Sequence, residues 1–442
     1  MKINMPEAVK DIIHTLQNEG YEAYAVGGCV RDSILGREPN DWDITTSASP
    51  EEVKALFRRT IDTGIEHGTI TIMVDKEGYE VTTYRIDGKY EDGRHPTEVT
   101  FTRELKEDLL RRDFTINAMA YNDEEGLVDI FGGVEDIRNK IIRCVGDPVA
   151  RFSEDALRLM RAIRFAAQLG YTIEENTREA IRVIAPNLAK ISAERIQAEL
   201  VKIMVSPNPG MMREAYELGI TKIFMPEFDL AMETEQANPH HLYTVGEHSM
   251  VSVEKVKADK VLRLAMLMHD FGKPHCITTD EKGINHFYGH PEKSEEIARG
   301  IMHRLKFDND TLRKVCILIR CHDERIVPGV KYMRRAVARI GEDAFPALFD
   351  VQEADILAQS EYKKEEKLAA LEANRRDYEE MIAEKQCVSI ADLAVTGKDL
   401  IAGGMKPGKE IGQVLKAMLQ DVIEDPEHNN KEYLLEKFLP SS

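Results

Sequence analysis

A change of residue pattern near Ser153 constrains the fold more than any other feature of this chain. Up to residue 145, a helical pattern at Glu7–Asn18 precedes strand-like runs near Tyr24 and Ile44, at Thr69–Val74 and at 79–86, with a turn at 75–78. Beyond Ser153, apolar residues recur only at helical spacing, with breaks at the Pro-containing segments 207–210 and 237–239. We therefore predict an α+β fold, in which a head with a small mixed sheet precedes an all-helical remainder.

The domain organisation follows from length and pattern. A chain of 442 residues exceeds what one hydrophobic core usually supports, so about two to four domains are expected. We predict a head at 1–145, a helical neck at 146–235, a histidine-rich domain at 236–345 and a helical tail at 346–442. The charged segment 361–385 is predicted to form one long exposed helix.

Composition argues against a membrane or secreted protein. Apolar runs fall short of the roughly 20 residues that a membrane span needs, and the N-terminal segment has the pattern of an amphipathic helix rather than a signal peptide. The six cysteines include no C-x-x-C pair, which agrees with a reducing compartment and argues against structural zinc. We expect a cytoplasmic protein with no membrane partner, and the sequence leaves its oligomeric state open.

The net charge of −19 argues against nucleic acid, because Lys and Arg contacts to phosphates dominate such affinity. Segment 304–339 is an exception, with ten Lys or Arg residues against four acidic ones. This local excess fits contact with an RNA backbone, and it fits a solvated helix face nearly as well.

Asp41 and Asp43 mark a candidate metal site in the head. If their segment is a strand, side chains two residues apart point to one face, so both carboxylates can reach the same pair of divalent ions. Upstream, Gly27 and Gly28 let the backbone approach an anion closely, and Arg31 is placed to hold a triphosphate. An isolated D-x-D is often a solvated turn or cap, but its combination with GGCVRD predicts phosphoryl-transfer chemistry.

Four motifs carry a resemblance that covers the first 171 residues. They are YAVGGCVRDSILGREPNDWDITTS from Tyr24, RRDFTINAMAY from Arg111, LVDIFGG from Leu127 and RFSEDALRLMRAIRFAAQLGY from Arg151. In order and spacing they resemble the polymerase beta superfamily of nucleotidyltransferases, and specifically the tRNA nucleotidyltransferase and poly(A) polymerase family of the bacterial and eukaryotic class. The resemblance implies a template-independent enzyme that builds or repairs the CCA end of tRNA from CTP and ATP, with Mg²⁺ at Asp41 and Asp43.

The resemblance adds two expectations for the head. Arg112 is expected to contact the incoming triphosphate, although an ordinary salt bridge at a helix start is the alternative. Segment 89–101 is expected to be a flexible loop that bears on nucleotide specificity. From the residues alone, Glu80 on a neighbouring strand is the candidate for a third catalytic carboxylate, with an exposed strand-edge residue as the alternative.

The segment from Glu154 to Arg164 combines one acid with three arginines. On a single helix, side chains three residues apart lie on nearly the same face. That face would carry Asp155, Arg158, Arg161 and Arg164. By the resemblance, the first two select the base and the other two hold sugar and phosphates. An Asp that accepts a hydrogen bond beside an Arg that donates one matches the exocyclic amino group and the ring-nitrogen acceptor of cytosine and adenine. Uracil and guanine offer an acceptor and a ring N–H donor instead. The alternative is a salt-bridged surface helix.

Nine of the thirteen histidines lie between residues 240 and 322. Their order resembles an HD-type phosphohydrolase domain, which brings imidazoles and carboxylates together around one or two metals. The predicted ligands of a transition metal are His248, His269, Asp270 and Asp323, and His290 binds metal or steadies a phosphate. The pair His322-Asp323 provides the last element of the pattern, and a scaffold without catalysis is the alternative. Five other histidines are predicted to lie on the surface or just outside this site: His240, His241, His275, His286 and His303.

Three functions therefore remain open from the sequence. The first is a CCA-adding nucleotidyltransferase fused to an HD domain. The second keeps the same site but adds only A, or synthesises poly(A), because one base-selecting pair serves both C and A. The third is an HD phosphohydrolase or RNA-binding regulator with an inert head.

Overall fold

The computed structural model describes residues 2–88 and 99–439. It forms two compact units, Met1–Pro226 and Glu227–Ser442. The finer division into head, neck, HD domain and tail stays a prediction. Most of the loop predicted at 89–101 lies outside the described residues.

The first unit contains a mixed sheet, which in the described part of the chain has the strand order β3-β4-β5-β2-β1-β8-β9. A parallel pair β10-β11 and a hairpin β6-β7 lie beside it. The strands are β1 (Ala23–Val26), β2 (Ile44–Thr46), β3 (Thr60–Gly64), β4 (Thr69–Val74), β5 (Glu77–Thr83), β6 (Arg85–Asp87), β7 (Val99–Phe101), β8 (Ala120–Asn122), β9 (Gly126–Val128), β10 (Ile141–Ile142) and β11 (Thr172–Ile173).

The strand predictions need three corrections. The strand after the Gly-Gly turn begins at Ile44, so Asp41 and Asp43 lie in the segment before it. The hairpin turn consists of Asp75 and Lys76 alone, both with positive φ, as a two-residue turn between twisted strands requires. The long strand predicted at 79–86 is interrupted at Tyr84, a fully buried side chain of the head core.

The helices of the first unit pack around this sheet and continue into the predicted neck, which is not all-helical as predicted because it contains strand β11. They are α1 (Glu7–Asn18), α2 (Gly28–Ile34), α3 (Pro50–Leu56), α4 (Leu105–Leu110), α5 (Gly133–Asn139), α6 (Pro148–Glu154), α7 (Leu157–Leu169), α8 (Glu175–Ile184), α9 (Ala193–Met204), α10 (Met212–Glu217) and α11 (Thr221–Phe224). The predicted helix α1 is confirmed in both bounds. The predicted single helix through Asp155 is corrected, because α6 ends at Glu154 and α7 begins at Leu157, which leaves Asp155 between two helices.

The second unit is helical apart from the short hairpin β12 (Thr278–Thr279) and β13 (Asn285–His286). Its helices are α12, which starts at the last residue of the first unit (Pro226–Met232), α13 (Val245–Lys255), α14 (Lys260–Met268), α15 (Lys273–Cys276), α16 (His290–Arg304), α17 (Asn309–Cys321), α18 (Val330–Ile340), α19 (Phe345–Ala358), α20 (Lys364–Ala383), α21 (Gly397–Ala402), α22 (Lys409–Glu424) and α23 (Lys431–Phe438). Six short 3-10 helices complete the described chain: Ile65–His67, Thr115–Asn117, Ala185–Lys190, Pro209–Met211, Ile390–Asp392 and Pro426–His428.

Packing within this unit is continuous from α13 to α20. Helix α19 packs on α13 and α14, and α20 packs on α18 and α19. The domain boundary predicted at 345/346 therefore falls at the start of a helix that belongs to this bundle. The predicted long helix exists as α20, but it buries Leu371, Asn374 and Met381 and is not exposed all round.

The basic segment 304–339 is largely neutralised inside the second unit. Lys331 and Arg335 both pair with Glu424, and Arg339 pairs with Glu324. Four further side chains of the segment reach acidic partners: Arg304, Arg313, Lys314 and Arg320. This pattern favours the solvated, ion-paired helix face over an RNA contact surface.

Among the described residues, every helix is too short or too polar to cross a lipid bilayer. All six cysteines carry free thiols.

Candidate functional site

The carboxylates predicted to bind metal lie along one cavity of the first unit. Strand β2 pairs in parallel with β5, with Ile44 opposite Val81, so the preceding residues Asp43 and Glu80 lie side by side. Asp41, Asp43 and Glu80 line a cavity of about 950 Å³. Their ligand atoms do not all lie within 4.8 Å of one another, since the described groups that meet this limit are histidine clusters of the second unit.

Mutual repulsion shapes the charge state of these carboxylates. Asp41, Asp43 and Glu80 are all exposed at the cavity wall, so the exposed position considered as the alternative for Glu80 is observed. Partial loss of hydration in the cavity raises the pKa of Glu80 first, and the charges of Asp43 and Asp41 raise it further. The same loss of hydration raises the pKa of Asp43, where Arg112 opposes the shift and Asp41 adds to it. The concentrated negative charge suits a divalent cation, because a cation would remove the repulsion that now favours protonation.

A second cavity of about 480 Å³ brings together the residues predicted to bind nucleotide. Asp43 lines this cavity as well as the carboxylate cavity, so the two adjoin. The predicted residues along its wall are Gly27, Gly28, Arg31, Arg112, Asp155, Arg158, Arg161 and Arg164.

The Gly-Gly turn, Gly27 and Gly28, forms part of the wall of this cavity. Gly27 has φ 84°, a conformation that side chains rarely adopt, and a Cβ there would lie 2.9 Å from Nη1 of Arg112. Arg112 also pairs with the buried Asp108 at 3.4 Å, so the salt bridge considered as its alternative is present too. Its buried Nε donates to no described atom, which leaves a donor available to a ligand.

Acidic and amide partners hold the other arginines in place. Arg31 Nη1 donates to Asn117 Oδ1 at 2.6 Å, and Arg161 pairs with Asp113 at 2.5 Å. Arg164 is buried and pairs with Glu199 at 2.5 Å. All three guanidinium groups lie near the ring of one phenylalanine, Phe165, at 5.1, 5.4 and 3.9 Å from its centroid respectively.

Asp155 and Arg158 point into the cavity from a helix junction. Asp155 Oδ1 accepts from the backbone N–H of Leu157 at 2.9 Å, and Oδ2 accepts from Arg195 at 2.6 Å. Arg158 pairs with Glu154 at 3.0 Å and donates to the carbonyl of Arg111. The ion pair considered as the alternative thus joins Arg158 to Glu154, and both residues of the predicted base-selecting pair are fixed by other partners.

Six residues that line this cavity were not predicted as site residues: Arg111, Asp113, Asn117, Leu157, Phe165 and Arg195. Asn117 and Phe165 lie inside recognised motifs, so their position in those motifs was the available signal. Arg195 lies in an ordinary amphipathic helix, α9, whose pattern carries no sign of a partner 40 residues upstream.

The second unit brings a histidine cluster together from four helices. His248 from α13, His269 and Asp270 at the end of α14, and His290 and His322 at the ends of α16 and α17 are all buried. They form two groups with ligand atoms within 4.8 Å of one another, namely His248-His269-Asp270 and Asp270-His290-His322. The two groups share Asp270.

Backbone carbonyls fix the histidine rings. Nδ1 of His269, His290 and His322 lies 2.7, 2.8 and 2.7 Å from the carbonyl oxygen three residues earlier. The carbonyls keep the proton on Nδ1, which turns Nε2 toward the cluster. This is the arrangement of metal-ligating histidines.

Asp355 on α19 completes the cluster, and Asp323 does not belong to it. Asp355 Oδ1 lies 2.8 Å from Nε2 of His248 and 3.7 Å from Nε2 of His269, whereas Asp323 is exposed. The predicted ligand Asp323 is thus corrected, because α17 ends at Cys321 and aims His322 inward but not its neighbour. Asp355 is adjacent to no histidine, so the sequence carried no signal for it.

Charges within the cluster compensate each other. Burial lowers the pKa of His269, but Asp270 and Asp355 outweigh it and raise that pKa to about 10. Lys273 lies 2.6 Å from Asp270, and together with burial it lowers the pKa of His241 to about 2. A proton on His269 and the Lys273 ammonium therefore balance the buried Asp270 and the half-buried Asp355, a role that a metal cation can take over. Of the five predicted outer histidines, His240, His241 and His286 line a cavity beside this cluster.

Replacement of Asp113 tests the ion pair behind the nucleotide cavity. Burial opposes its charge, but Arg161 and Asn117 hold the pKa of Asp113 at about 2, against about 3.9 in an unfolded chain. Its contribution to stability is therefore present above pH 4 and lost as the pH falls toward 2. We expect Asp113→Asn to lower the free energy of unfolding by about 2–3 kcal/mol at pH 7, with a smaller difference at pH 3.

Urea unfolding at pH 7 and pH 3 measures the effect, and Asp11→Asn on the exposed face of α1 is the matched control. An equal loss at both pH values would contradict the assigned role of the Asp113 charge.

Comparison with known proteins places these features in a family context. Residues 23–143 match a family model described as the poly A polymerase head domain. Residues 170–232 match one described as "Probable RNA and SrmB-binding site of polymerase A", and 276–438 match one for domain 2 of tRNA nucleotidyltransferase.

Whole-chain relatives agree with these models. A CCA-adding enzyme of Lactiplantibacillus plantarum is 36% identical over 97% of this chain and 95% of the relative. The structure of the Bacillus stearothermophilus CCA-adding enzyme in complex with CTP superposes with a TM-score of 0.70, at 31% identity, over 98% of this chain and 96% of that one. The Thermotoga maritima CCA-adding enzyme complexed with tRNA shares the fold, with a TM-score of 0.61 at 20% identity over 99% of both chains.

Proposed function

Because this chain belongs to the family of CCA-adding enzymes, we propose that its head adds the 3′-terminal CCA of tRNA from CTP and ATP. One observation supports this most directly. Asp43 lines both the carboxylate cavity and the arginine-lined cavity, so a triphosphate held by the arginines would end beside the metal-binding carboxylates. The other products considered, A-only addition and poly(A), use the same chemistry and differ only in the nucleotides accepted.

We propose Mg²⁺ as the divalent cation, held by Asp41 and Asp43 with Glu80 as the third carboxylate. The donor set consists of carboxylate oxygens, which Mg²⁺ prefers, and their mutual repulsion fits a divalent cation. When bound, the cation lowers the pKa of the attacking 3′-hydroxyl and neutralises the leaving pyrophosphate. The arginines supply the rest: Arg31 and Arg112 bind phosphate oxygens, and Arg161 and Arg164 hold sugar and phosphates.

Base choice is proposed to rest on Asp155 and Arg158. Asp155 keeps lone pairs free beyond those used by Leu157 and Arg195, and a cytosine or adenine amino group can donate to them. Arg158 donates to the ring nitrogen. With uracil or guanine, the carbonyl oxygen of the base would lie against the Asp155 carboxylate and its ring N–H against the Arg158 guanidinium. Neither pair can form a hydrogen bond, which costs on the order of several kcal/mol.

Neutralising the metal carboxylates should abolish nucleotide addition without unfolding the head, because Asp41 and Asp43 lie outside the core. Purified wild type, Asp41→Ala and Asp43→Ala are offered tRNAs ending before CCA, after one C and after CC, with CTP and ATP supplied separately. We expect at least a 1,000-fold loss of rate in both variants, about 4 kcal/mol of transition-state stabilisation. Binding of CTP and tRNA should fall far less.

The control is Asp123→Asn, an exposed acid in the turn after β8. Near wild-type addition by both variants would end the polymerase proposal. In the wild type, addition of A but never C would favour the A-only product.

Removing the base-selecting pair should relax specificity. In Asp155→Ala and Arg158→Ala, we expect incorporation of UTP and GTP to rise relative to CTP and ATP, because the discriminating donor and acceptor are gone. Arg195→Ala should do the same to a smaller degree, since Arg195 orients Asp155. The measurement is the ratio of kcat/KM for the four nucleotides, with Glu194→Ala on the same helix as control. An equal loss for all four nucleotides would assign these residues a structural role instead.

A second function is favoured by the two buried triads that share Asp270. We propose that His248, His269, Asp270 and Asp355, together with His290 and His322, hold one or two transition-metal ions. Four imidazoles and two carboxylates suit such ions. When bound, the metal activates water toward a phosphate ester.

Phosphatase assays with Ni²⁺, Mn²⁺ or Co²⁺ compare wild type, Asp41→Ala and His269→Ala. We expect hydrolysis to be lost only in His269→Ala, because the head variant leaves the histidine cluster intact. Calorimetric metal titration of the same proteins provides an independent readout. Absence of both metal binding and hydrolysis in the wild type would leave this domain as a scaffold.

A further inference from the structure

Two cavities flank the histidine cluster on the surface of the second unit. One has a volume of about 340 Å³ and the other about 310 Å³. His322 and Asp355 of the cluster line both, so the two cavities meet at the cluster. A substrate with its phosphate at the cluster therefore has room for a substituent on each side.

The first cavity has the character of a base-binding pocket. Ile356 of α19 and Ala370 and Leu371 of α20 form an apolar stretch of its wall, between polar residues of the same two helices. Asn374 at its end is buried, and its Oδ1 accepts no hydrogen bond from any described residue. An unpaired buried amide oxygen is costly unless a ligand supplies a donor, and the exocyclic amino group of a base is such a donor.

The second cavity offers a stacking surface. The ring of Tyr288 is 77% exposed and lies parallel to that of His286, at 5.6 Å between centroids with 6° between planes. A large exposed aromatic ring beside a phosphate site matches the platforms on which single nucleotides stack.

Cationic groups shared by both cavities lie where the phosphate would sit. Lys367 and Arg325 line both cavities. Lys367 Nζ donates to Gln359 Oε1 and lies 3.1 Å from Nδ1 of His240. Gln359 in turn donates to Asp355 at 2.9 Å, which ties Lys367 to the edge of the cluster.

From this arrangement we infer that the second site takes a linear phosphodiester that joins two nucleosides, with one nucleoside in each cavity and the phosphate beside Lys367 and Arg325. The inference rests on the proposed phosphohydrolase function. In the reaction, a water oxygen forms a bond to phosphorus and the bond from phosphorus to one nucleoside oxygen breaks. The released nucleoside hydroxyl takes up a proton, and the other product is a nucleoside monophosphate.

The test uses the full chain with Mn²⁺, the dinucleotide ApA, AMP and p-nitrophenyl phosphate. Ala370→Trp fills the first cavity from an exposed position, and Ala369→Trp on the neighbouring exposed position is the matched control because it lines neither cavity. We expect Ala370→Trp to raise KM for ApA at least tenfold and KM for p-nitrophenyl phosphate less than twofold. Tyr288→Ala should weaken the binding of ApA, because it removes the stacking surface of the second cavity.

Calorimetric binding of ApA and AMP without metal gives a readout independent of hydrolysis. The wild type should bind ApA at least tenfold more tightly than AMP, and of the two tryptophan variants Ala370→Trp should lose that preference and Ala369→Trp should keep it. All variants have the same head, so a difference in ApA binding between Ala370→Trp and Ala369→Trp comes from the second unit alone. Hydrolysis of p-nitrophenyl phosphate with no preference for ApA would overturn this inference, whereas absence of Mn²⁺ binding and of all hydrolysis would overturn the phosphohydrolase function itself.

Discussion

The parallel pairing of β2 with β5 is the constraint on which the head site depends. Most neighbours in this sheet are antiparallel, and this one parallel register sets Asp43 beside Glu80 at the same edge. An antiparallel pairing would run the two strands in opposite directions and separate the carboxylates. The same edge receives the Gly-Gly turn from β1, since the Val26 N–H donates to the carbonyl of Asp43. The metal carboxylates and the phosphate-binding turn are therefore positioned by one set of strand contacts.

Charge compensation is the second organising principle of the head. Several arginines lie along one cavity, and four of them have an acidic or amide partner. Asn117, Asp113 and Glu199 reach Arg31, Arg161 and Arg164 from distant parts of the chain, and Glu154 lies four residues before Arg158. These partners prevent mutual repulsion in the absence of a ligand and fix the guanidinium planes in advance. The cost of ordering the side chains is thus met on folding and not on binding nucleotide.

Local features of this structure were predictable from sequence, and long-range partners were not. Helix α1 follows from periodicity, and eight of the residues that line the nucleotide cavity were named from motifs as nucleotide-binding residues. Asp355 and Arg195 reach their sites only through helix packing, and nothing in their neighbourhood marks them. The error at Asp323 has the same origin, because a histidine–aspartate pair suggests a ligand although the helix end aims only His322 inward.

A local excess of basic residues in the sequence does not by itself give a basic surface. Segment 304–339 has a strong local excess of basic residues, but Glu227, Glu292 and Glu424 lie outside it and neutralise much of that excess after folding. A charge count over a window includes only neighbours along the chain, whereas an ion pair depends on neighbours in space. A surface for RNA must therefore be sought among cations that keep no acidic partner.

The two candidate sites differ in donor chemistry, and that difference separates their metals. The head offers three carboxylates, which suit a hard cation such as Mg²⁺. The second unit offers four imidazoles with Nε2 turned toward shared carboxylates, a set that Mg²⁺ binds poorly. A chain with both sites can therefore hold Mg²⁺ at one and a transition metal at the other, with each site loaded by the ion it prefers. Loss of the imidazole site need not disturb nucleotide addition, because the two donor sets share no residue.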